Sequence, residues 1–527
     1  MLTISTFLAY TLFVAFYAWF RLKKEKLSSE EGYFLGGRSL TGIVIAGSML
    51  LTNISTEHLI GMNGSSYKNG FIIIGWEVTS ALALVVAAVY FIPKYLSMGL
   101  TTIPEYLEKR FDGVLRSYIA FFLMISFVVT LLPIVLYTGA INLESIFGIS
   151  ERLSISKEQG LLVTVIGVGL IGSLYAILGG LKAVAVSDTL NGYGLLIGGL
   201  AVPLLALFNI GEGNPLKGLL KVFEYAPEKF NVIGAPDSVL PFEVLFTGLI
   251  VNQIYFWCMN QTIIQRALGA QNLKEAQKGL LYTGLLKIFI PLVIILPGVI
   301  GFYYFGDSLY ATQDMVYPEL IKKVLPASFV GLFAAVVMGA VLSTFNSVLN
   351  SAATIFSLDL YKRHFNRSAS DQKLVFIGKL TSSILAIFAI LAAPFVAQAP
   401  EGLYQLLQQL NGIFFIPIAS IMLMGFFTKS ISAFAAKVAL FFGLAFYLLT
   451  SFVFDTGLHF VHLWGIEFLL NLVLMYGFSY YYPNTNHFKI SDLKFVKMEQ
   501  WSYTKPFSIA LCFITLIIYI ALGTFGS

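Results

Sequence analysis

The chain has 527 residues, of which 57% are hydrophobic, 15% aromatic and only 12% charged. Because soluble domains carry about 25% charged residues, this composition excludes a soluble globular domain and indicates a polytopic, all-α membrane protein. The net charge of +5 is small. It gives no reason to expect a nucleic-acid partner, and its sign fits loops that face an anionic cytoplasmic leaflet.

The hydrophobic stretches predict about 14 membrane spans, each with the roughly 20 residues that a bilayer requires. The first, at 2–20, has no basic region before it and is not read as a signal peptide. Two sets of five spans follow, on either side of an aqueous connection at 209–240 that holds a short surface helix. Three further spans close the chain. The predicted spans of the two sets and the end are 40–64, 70–93, 116–147, 158–178, 183–208, then 241–264, 279–304, 326–357, 374–397, 403–427, and 432–454, 459–482, 507–524.

This pattern predicts five regions along the chain. They are an extra helix with a basic inside loop (1–39), a first five-helix repeat (40–208), an extracellular connection (209–240), a second five-helix repeat (241–427) and three extra helices (428–527). Basic residues fall in alternate loops, which predicts that both termini lie outside. The predicted inside loops include Lys23, Lys24, Lys26, Arg38, Arg110, Arg116, Arg266, Arg363, Lys489 and Lys494.

The second span carries polar residues where an apolar run is expected. Thr52, Asn53, Ser55, Thr56, Glu57 and His58 lie at its middle. Hydrocarbon cannot satisfy these groups, so we interpret the span as a helix interrupted at mid-membrane, which exposes carbonyls for an ion. The alternative is a polar helix face that packs on its neighbours. The first span of the second set has a similar run, Asn252-Gln-Ile-Tyr255, and this placement predicts inverted repeats with a site at their interface.

Two charged residues lie inside predicted spans, Glu77 in the third and Lys287 in the eighth. A lone charge in the membrane costs roughly 3 kcal/mol, so the two are expected to approach each other or to share a polar ligand. The alternative is a structural ion pair. His58 is a candidate for contact with a ligand. Among uncharged residues, Gln253 and Gln408 can donate and accept hydrogen bonds at once, while Trp76, Phe256 and Trp257 either stack on a ring or simply pack.

The ninth span groups small polar residues, namely Ser343, Thr344, Asn346 and Ser347. Neighbouring hydroxyls and free carbonyls suit a hard cation, and because no cluster of carboxylates accompanies them, sodium fits better than a divalent ion. The alternative is that these hydroxyls cap carbonyls of their own helix. Asp188, in the sixth span, is a further acid that serves a second cation, carries a proton or caps its helix.

Several motifs resemble the sodium/solute symporter family, in particular its sodium/sugar branch, over nearly the whole chain. They are Asn53-Ile-Ser-Thr-Glu-His-Leu-Ile-Gly61, Trp76-Glu77, Thr102-Ile-Pro-Glu-Tyr-Leu-Glu-Lys-Arg-Phe111, Gly179-Gly-Leu-Lys-Ala-Val184 with Asp188, Gln261-Thr-Ile-Ile-Gln-Arg266 and Asn350-Ser-Ala-Ala-Thr-Ile-Phe356 with Asp359-Leu-Tyr361. The resemblance implies the leucine-transporter-type five-plus-five inverted repeat with extra flanking helices.

The resemblance also implies the residues of three sites. A sodium ion would be held by Leu51 and Ile54 backbone oxygens with Ala340, Ser343 and Thr344. A sugar would be held by Asn53, His58, Glu77, Ser80, Gln253, Lys287 and Gln408. Phe256, with Trp76 and Trp257, would act as a gate, although Phe256 and Trp76 stand where a bacterial member has tyrosine. Asp188 and Ser347, with Ser343, resemble the second sodium site of some members.

We therefore expect a symporter of the plasma membrane that couples inward sodium movement to uptake of a sugar or polyol, with no obligate protein partner. The nearest alternative keeps the fold and the sodium but moves an amino acid, a carboxylate or a vitamin. A channel is disfavoured because nothing resembles a selectivity filter. An enzyme is disfavoured because no nucleophile, base or metal-ligand cluster lies at one surface.

Overall fold

The computed structural model describes residues 2–22, 29–398, 403–484 and 496–523, and their regular secondary structure is helical apart from two isolated β-bridges. This follows from the composition, because a helix satisfies its own backbone hydrogen bonds where water is absent. Helices of the first part are α1 (Leu2–Leu22), α2 (Glu30–Leu35), α3 (Gly42–Asn53), α4 (Asn63–Asn69), α5 (Gly75–Val78), α6 (Ser80–Val86), α7 (Ile92–Ser97), α8 (Ile103–Arg110), α9 (Gly113–Ile125), α10 (Leu132–Phe147), α11 (Ile149–Leu153) and α12 (Lys157–Ile210).

The second part begins with the predicted surface helix, which is α13 (Pro215–Tyr225). It continues with α14 (Gly248–Cys258), α15 (Gln261–Leu268), α16 (Leu273–Phe289), α17 (Pro291–Ile294), α18 (Leu296–Phe305), α19 (Val316–Val324), α20 (Ala327–Ile355), α21 (Lys362–His364), α22 (Asp371–Ala392), α23 (Leu403–Phe427), α24 (Ala433–Phe452), α25 (Phe460–Tyr481) and α26 (Thr504–Gly523). Short π-helical turns join neighbouring helices into single long spans. Ser126–Leu131, for example, joins α9 to α10.

Ten helical segments of the described residues are long and apolar enough to cross a membrane, and a bent pair of segments, Leu273–Phe289 and Pro291–Phe305, makes up to eleven. Two further apolar helices, Leu2–Ala18 and Gly42–Asn53, are shorter. The number 14, the five regions and the outside placement of both termini stay predictions. Met1 and residues 524–527 lie outside the described residues, as do the basic residues Lys23, Lys24, Lys26, Lys489 and Lys494.

The second span is interrupted, as its polar residues predict. Helix α3 ends at Asn53, and Ile54 has extended backbone angles (φ −91°, ψ 93°). A π-helical turn at Glu57–Met62 then leads into α4. Helix α3 lies at the centre of the bundle, where it packs against α12, α16 and α20, so the interruption is surrounded by protein.

The first span of the second set is also interrupted, but later than its polar run. Asn252 and Gln253 lie within α14, which ends at Cys258. Asn260 caps the following helix by accepting a hydrogen bond from the Thr262 N–H.

A sharp kink separates the predicted spans 158–178 and 183–208 within α12. Gly180 has φ 56° and ψ −164°, a conformation that side-chain-bearing residues rarely adopt. A Cβ atom added there would lie 2.5 Å from the Tyr33 carbonyl oxygen. The turn therefore requires glycine for both its backbone angles and its close approach to α2.

Arg110 and Arg266, both assigned to predicted inside loops, are buried, and their placement on the inside stays a prediction. Their exposed fractions are 1% and 0%. Arg110 donates to the carbonyl oxygens of Gly425 (3.0 Å) and Thr428 (2.9 Å), where α23 ends. A count of charges along the chain cannot separate an arginine in water from one that satisfies buried carbonyl or carboxylate groups.

Candidate functional site

A cavity adjoins the interruption after α3, and Asn53 and His58 from either side of that interruption line it. Every residue predicted to bind the solute or to act as a gate lines it. They are Asn53, His58, Trp76, Glu77, Ser80, Gln253, Phe256, Trp257, Lys287 and Gln408. The wall is thus shared by α3, the segments up to α6, and helices α14, α16 and α23, which are far apart in the sequence.

Glu77 and Lys287 form an ion pair at this cavity, and each is 1% exposed. The Lys287 ammonium also donates to Asn53 Oδ1 at 2.6 Å. The Lys287 Nζ atom lies 5.5 Å from the ring centre of Trp257. The ammonium is therefore already engaged by a carboxylate and an amide oxygen, while the second carboxylate oxygen of Glu77 faces His58 Nε2 at 3.9 Å.

A second carboxylate, Glu57, extends this polar group. Glu57 Oε1 lies 3.6 Å from His58 Nδ1, and Ser55 donates a hydrogen bond to Glu57 Oε2. His58 thus lies between two carboxylates, and its ring meets that of Tyr404 edge-on at 5.1 Å. The cavity contains more negative than positive side chains among the described residues if His58 is neutral.

The Gln253 amide connects α14 to the opposite wall. Its Nε2 donates to the Trp76 carbonyl oxygen (2.7 Å), and its Oε1 accepts from Ser80 Oγ (3.0 Å) and Trp257 Nε1 (3.1 Å). These bonds fix the orientation of the amide. A solute that binds Gln253 or Ser80 has to share or replace these contacts.

Trp76 and Tyr404 lie between the cavity and a second one, because both residues line both cavities. Their rings meet edge-on at 5.9 Å. On another side of the main cavity, Phe256 contacts Trp257 edge-on at 5.2 Å. The sequence pointed to Trp76 and Phe256 but not to Tyr404. Spacing was the signal that could have identified Tyr404, because it precedes Gln408 by one helical turn. Its hydroxyl accepts a hydrogen bond from the Gln408 amide at 2.8 Å.

Two of the residues predicted to bind sodium, Leu51 and Thr344, are in contact near the end of α3. Thr344 Oγ1 lies 3.5 Å from the Leu51 carbonyl oxygen and 3.0 Å from that of Thr52. Carbonyls of the last helical turn lack helical N–H partners, so they are available to a cation. Ala340 and Ser343, on the same helix as Thr344, and Ile54 at the interruption are buried.

Asp188 and Ser347 belong to a network that also includes Arg266. Ser48 Oγ donates to Asp188 Oδ2 at 2.7 Å, and Arg266 Nη2 lies 3.9 Å from the same oxygen. Arg266 also donates to Ser347, which contacts Thr52 at 3.1 Å. Sequence reasoning did not connect Asp188 with Arg266, and no regular spacing could have done so, since the two lie on different helices, α12 and α15.

A model of the sodium:solute symporter family matches residues 33–443. The chain belongs to this family. The symporter is 44% identical to the uncharacterized symporter YidK of Escherichia coli (strain K12) over 525 residues, 100% of this chain and 92% of that protein. It is 33% identical to the sodium/glucose cotransporter of Vibrio parahaemolyticus (82% of this chain, 81% of that protein). The human sodium/myo-inositol cotransporter is 29% identical over 80% of this chain and 62% of that protein.

A solved structure of a Na⁺-coupled sialic acid symporter has the same fold, with a TM-score of 0.77 over 91% of this chain and 98% of that chain, at 20% identity. The expected all-α, leucine-transporter-type fold is confirmed. Family membership also establishes that the protein is a multi-pass membrane transporter rather than an enzyme, and that sodium is its co-transported ion.

Proposed function

We propose that this symporter couples inward sodium movement to uptake of a neutral sugar or polyol across the plasma membrane. The observation that carries the proposal is the buried group of Glu77, Lys287 and Asn53 at the cavity. Its ammonium is neutralised by a carboxylate, so a carboxylate-bearing solute would meet Glu57 and Glu77 without a free positive charge. A hydroxyl both donates and accepts, and it suits such a mixed set of groups.

The cavity offers the other features that a sugar requires. Gln253, Gln408 and Ser80 provide hydrogen-bond donors and acceptors, and Trp76, Phe256 and Trp257 provide apolar faces beside them. Two of the curated relatives are named as sodium/glucose and sodium/myo-inositol cotransporters. These names support a polyhydroxylated solute for this chain, while the 44% identical relative is named without a solute.

In this proposal sodium stabilises the interrupted helix against α20. The ion binds to the carbonyl oxygens of Leu51, Ile54 and Ala340 and to the hydroxyls of Ser343 and Thr344. Binding holds Asn53 and His58, which adjoin the interruption, in the cavity wall and thus completes the solute site. Sodium moving inward gains about 2.3 kcal/mol per 100 mV, which is available to concentrate the solute.

Uptake by proteoliposomes tests the proposal. The reconstituted protein is given labelled hexoses, pentoses and inositol, with amino acids and carboxylates for comparison, with and without an inward sodium gradient. We expect sodium-dependent accumulation of at least one sugar or polyol. Ser80→Ala should reduce it, because Ser80 Oγ contacts Gln253 at the cavity. Thr79→Ala is the matched control, since among the described residues Thr79 Oγ1 bonds only the Gly75 carbonyl oxygen, at 2.6 Å.

Sodium-dependent uptake of an amino acid or carboxylate, with no uptake of any sugar or polyol, would overturn the proposed solute class. Equal uptake with and without sodium would show that the proposed coupling is wrong.

A further inference from the structure

A buried polar cluster lies among α23, α24 and α25, outside the solute cavity. It comprises Tyr447, Trp464, Glu467 and Asn471. Glu467 and Asn471 are 0% exposed. Both carboxylate oxygens of Glu467 and both amide atoms of Asn471 lack a hydrogen-bond partner among the described residues.

The two side chains lie against Gly443 of α24, which has no side chain of its own. A Cβ atom added at Gly443 would lie 2.6 Å from Glu467 Oε1 and 2.8 Å from Asn471 Nδ2. On α23, Pro417 is close to the same point and has no N–H, so the helix leaves the Ile413 carbonyl without its usual donor. The helices therefore bring together a carboxylate and an amide whose polar atoms lack hydrogen-bond partners among the described residues.

No Lys, Arg or His side chain pairs with Glu467 in the part of the chain that the structure describes. The titratable group that faces it there is the phenol of Tyr447. A buried carboxylate without a counter-charge is too costly to persist inside a membrane, and it is neutralised by a proton or a bound cation. The oxygen-rich surroundings suit a hard monovalent cation.

We propose that Glu467 and Asn471 form a buried site for one monovalent cation, a proton or a sodium ion, separate from the sodium site proposed between α3 and α20. The site is also connected to the solute cavity. The Trp464 ring meets that of Trp76, a cavity residue, edge-on at 6.1 Å. A Cβ atom added at Gly412 would touch both Trp464 and Tyr447, so Trp464 adjoins another member of the cluster on one side and Trp76 of the cavity wall on another.

Thermal unfolding of the purified full-length protein in lipid nanodiscs tests the proposal without solute. The unfolding midpoint is measured against sodium concentration at constant ionic strength, and against pH at constant sodium. Wild type is compared with Glu467→Gln, with Thr344→Ala, which weakens the other sodium site, and with the double variant. Glu144→Gln controls for loss of another buried carboxylate, since Glu144 accepts from the Ser150 N–H at 3.1 Å.

If the cation is sodium, Thr344→Ala should keep a sodium-dependent rise of the midpoint that the double variant loses, because a ligand bound only by the folded state stabilises it. If the cation is a proton, the wild-type midpoint should fall as pH rises and the proton is lost, and Glu467→Gln should abolish this fall. If the unfolding midpoint depends on sodium and on pH in the same way with and without Glu467→Gln, no cation binds there. Should Glu467→Gln fail to fold, Asn471→Ala replaces it. Asn471→Ala must change how the unfolding midpoint depends on sodium or on pH, and an unchanged dependence overturns the proposal.

Discussion

At the scale of single residues, the ion pair between Glu77 and Lys287 is the most consequential contact of the site. Both side chains are 1% exposed, so each is stabilised mainly by the other. The contact has two roles in this account: it keeps both charges inside the membrane, and it presents a neutralised polar surface to the solute.

These roles are separable by mutation. We expect Glu77→Gln to lower the free energy of unfolding by about 3–5 kcal/mol, because it leaves the Lys287 ammonium buried without a counter-charge. The double variant Glu77→Gln/Lys287→Met should regain most of that stability. Both variants should lose uptake. Thermal unfolding and uptake measure the two effects, and a double variant that is as unstable as Glu77→Gln would contradict the assigned role of the pair.

The sequence predicted the polar residues of this cavity well, because a polar or charged residue within an apolar span has few alternatives to an internal site. Glu77 and Lys287 are examples. It did not predict Tyr404 or Arg266. An aromatic residue in a membrane helix resembles an ordinary packing residue, and Arg266 follows a helix end, where a basic residue is expected to face water.

Thr344 allows a direct test of the sodium site. We expect Thr344→Ala to raise the sodium concentration for half-maximal uptake by about tenfold, since loss of one ion ligand costs on the order of 1–2 kcal/mol. The matched control is Thr381→Ala. It removes a buried hydroxyl whose one hydrogen bond within the described part of the chain is to the Ile377 carbonyl oxygen of its own helix (2.9 Å). If Thr344→Ala and Thr381→Ala need the same sodium concentration for half-maximal uptake, the ion does not bind at Thr344.

At the scale of helices, interruptions determine where functional groups come together. The interruption after α3 was predictable, because six polar residues crowd one short segment. The later interruption, at Met259 and Asn260, was not. The polar residues before it lie within α14. There the Gln253 amide donates a hydrogen bond to the Trp76 carbonyl oxygen and accepts one from Ser80, both across the cavity. Such long-range contacts have no signature in local sequence.

The kink of α12 gives a stability prediction at this scale. Gly180→Ala should lower the free energy of unfolding by about 1–3 kcal/mol, because alanine is strained at φ 56°. The added Cβ would also approach the Tyr33 carbonyl oxygen. Gly167→Ala in the same helix is the control, since a Cβ there meets nothing within 4 Å. Equal unfolding temperatures for the two variants would show that the kink does not need glycine.

At the scale of the whole molecule, a charged network joins segments from both halves of the chain on the predicted inside face. Arg116 Nε donates to Asp359 Oδ1 at 2.6 Å, and Thr102 donates to the same oxygen at 2.9 Å. Glu108, on α8, accepts from Arg116 and Arg363. The network thus links α8 and α9 to the end of the α20 span.

The network predicts an acid-sensitive component of stability. Burial raises the pKa of Glu108, but hydrogen bonds from Arg363 and Arg116 outweigh it and hold the pKa below its ordinary value. A carboxyl group with a lowered pKa stabilises the fold above its unfolded-state pKa and loses that contribution as pH falls through its folded-state pKa. The unfolding temperature of wild type should therefore fall in acid, and Glu108→Gln should show a smaller fall. An identical acid dependence would exclude Glu108 as a source of it.

The apolar runs of about 20 residues were enough to predict an all-α membrane protein, because a helix of that length crosses a bilayer with its backbone hydrogen bonds satisfied. The number of spans was harder to predict. Segments such as Leu273–Phe305 bend within the membrane, and apolar length alone does not reveal a bend. The assembly of the cavity from distant helices also depends on tertiary packing, which motifs could indicate only through family resemblance.

We propose that sodium and a neutral polyhydroxylated solute move together through this cavity. The current that a solute evokes from proteoliposomes on a solid-supported membrane, with sodium present or replaced by choline, tests this coupling. We expect an inward positive current with at least one sugar or polyol, dependent on sodium and absent in Glu77→Gln. A sodium-dependent current evoked by amino acids or carboxylates, and by no sugar or polyol, would contradict it.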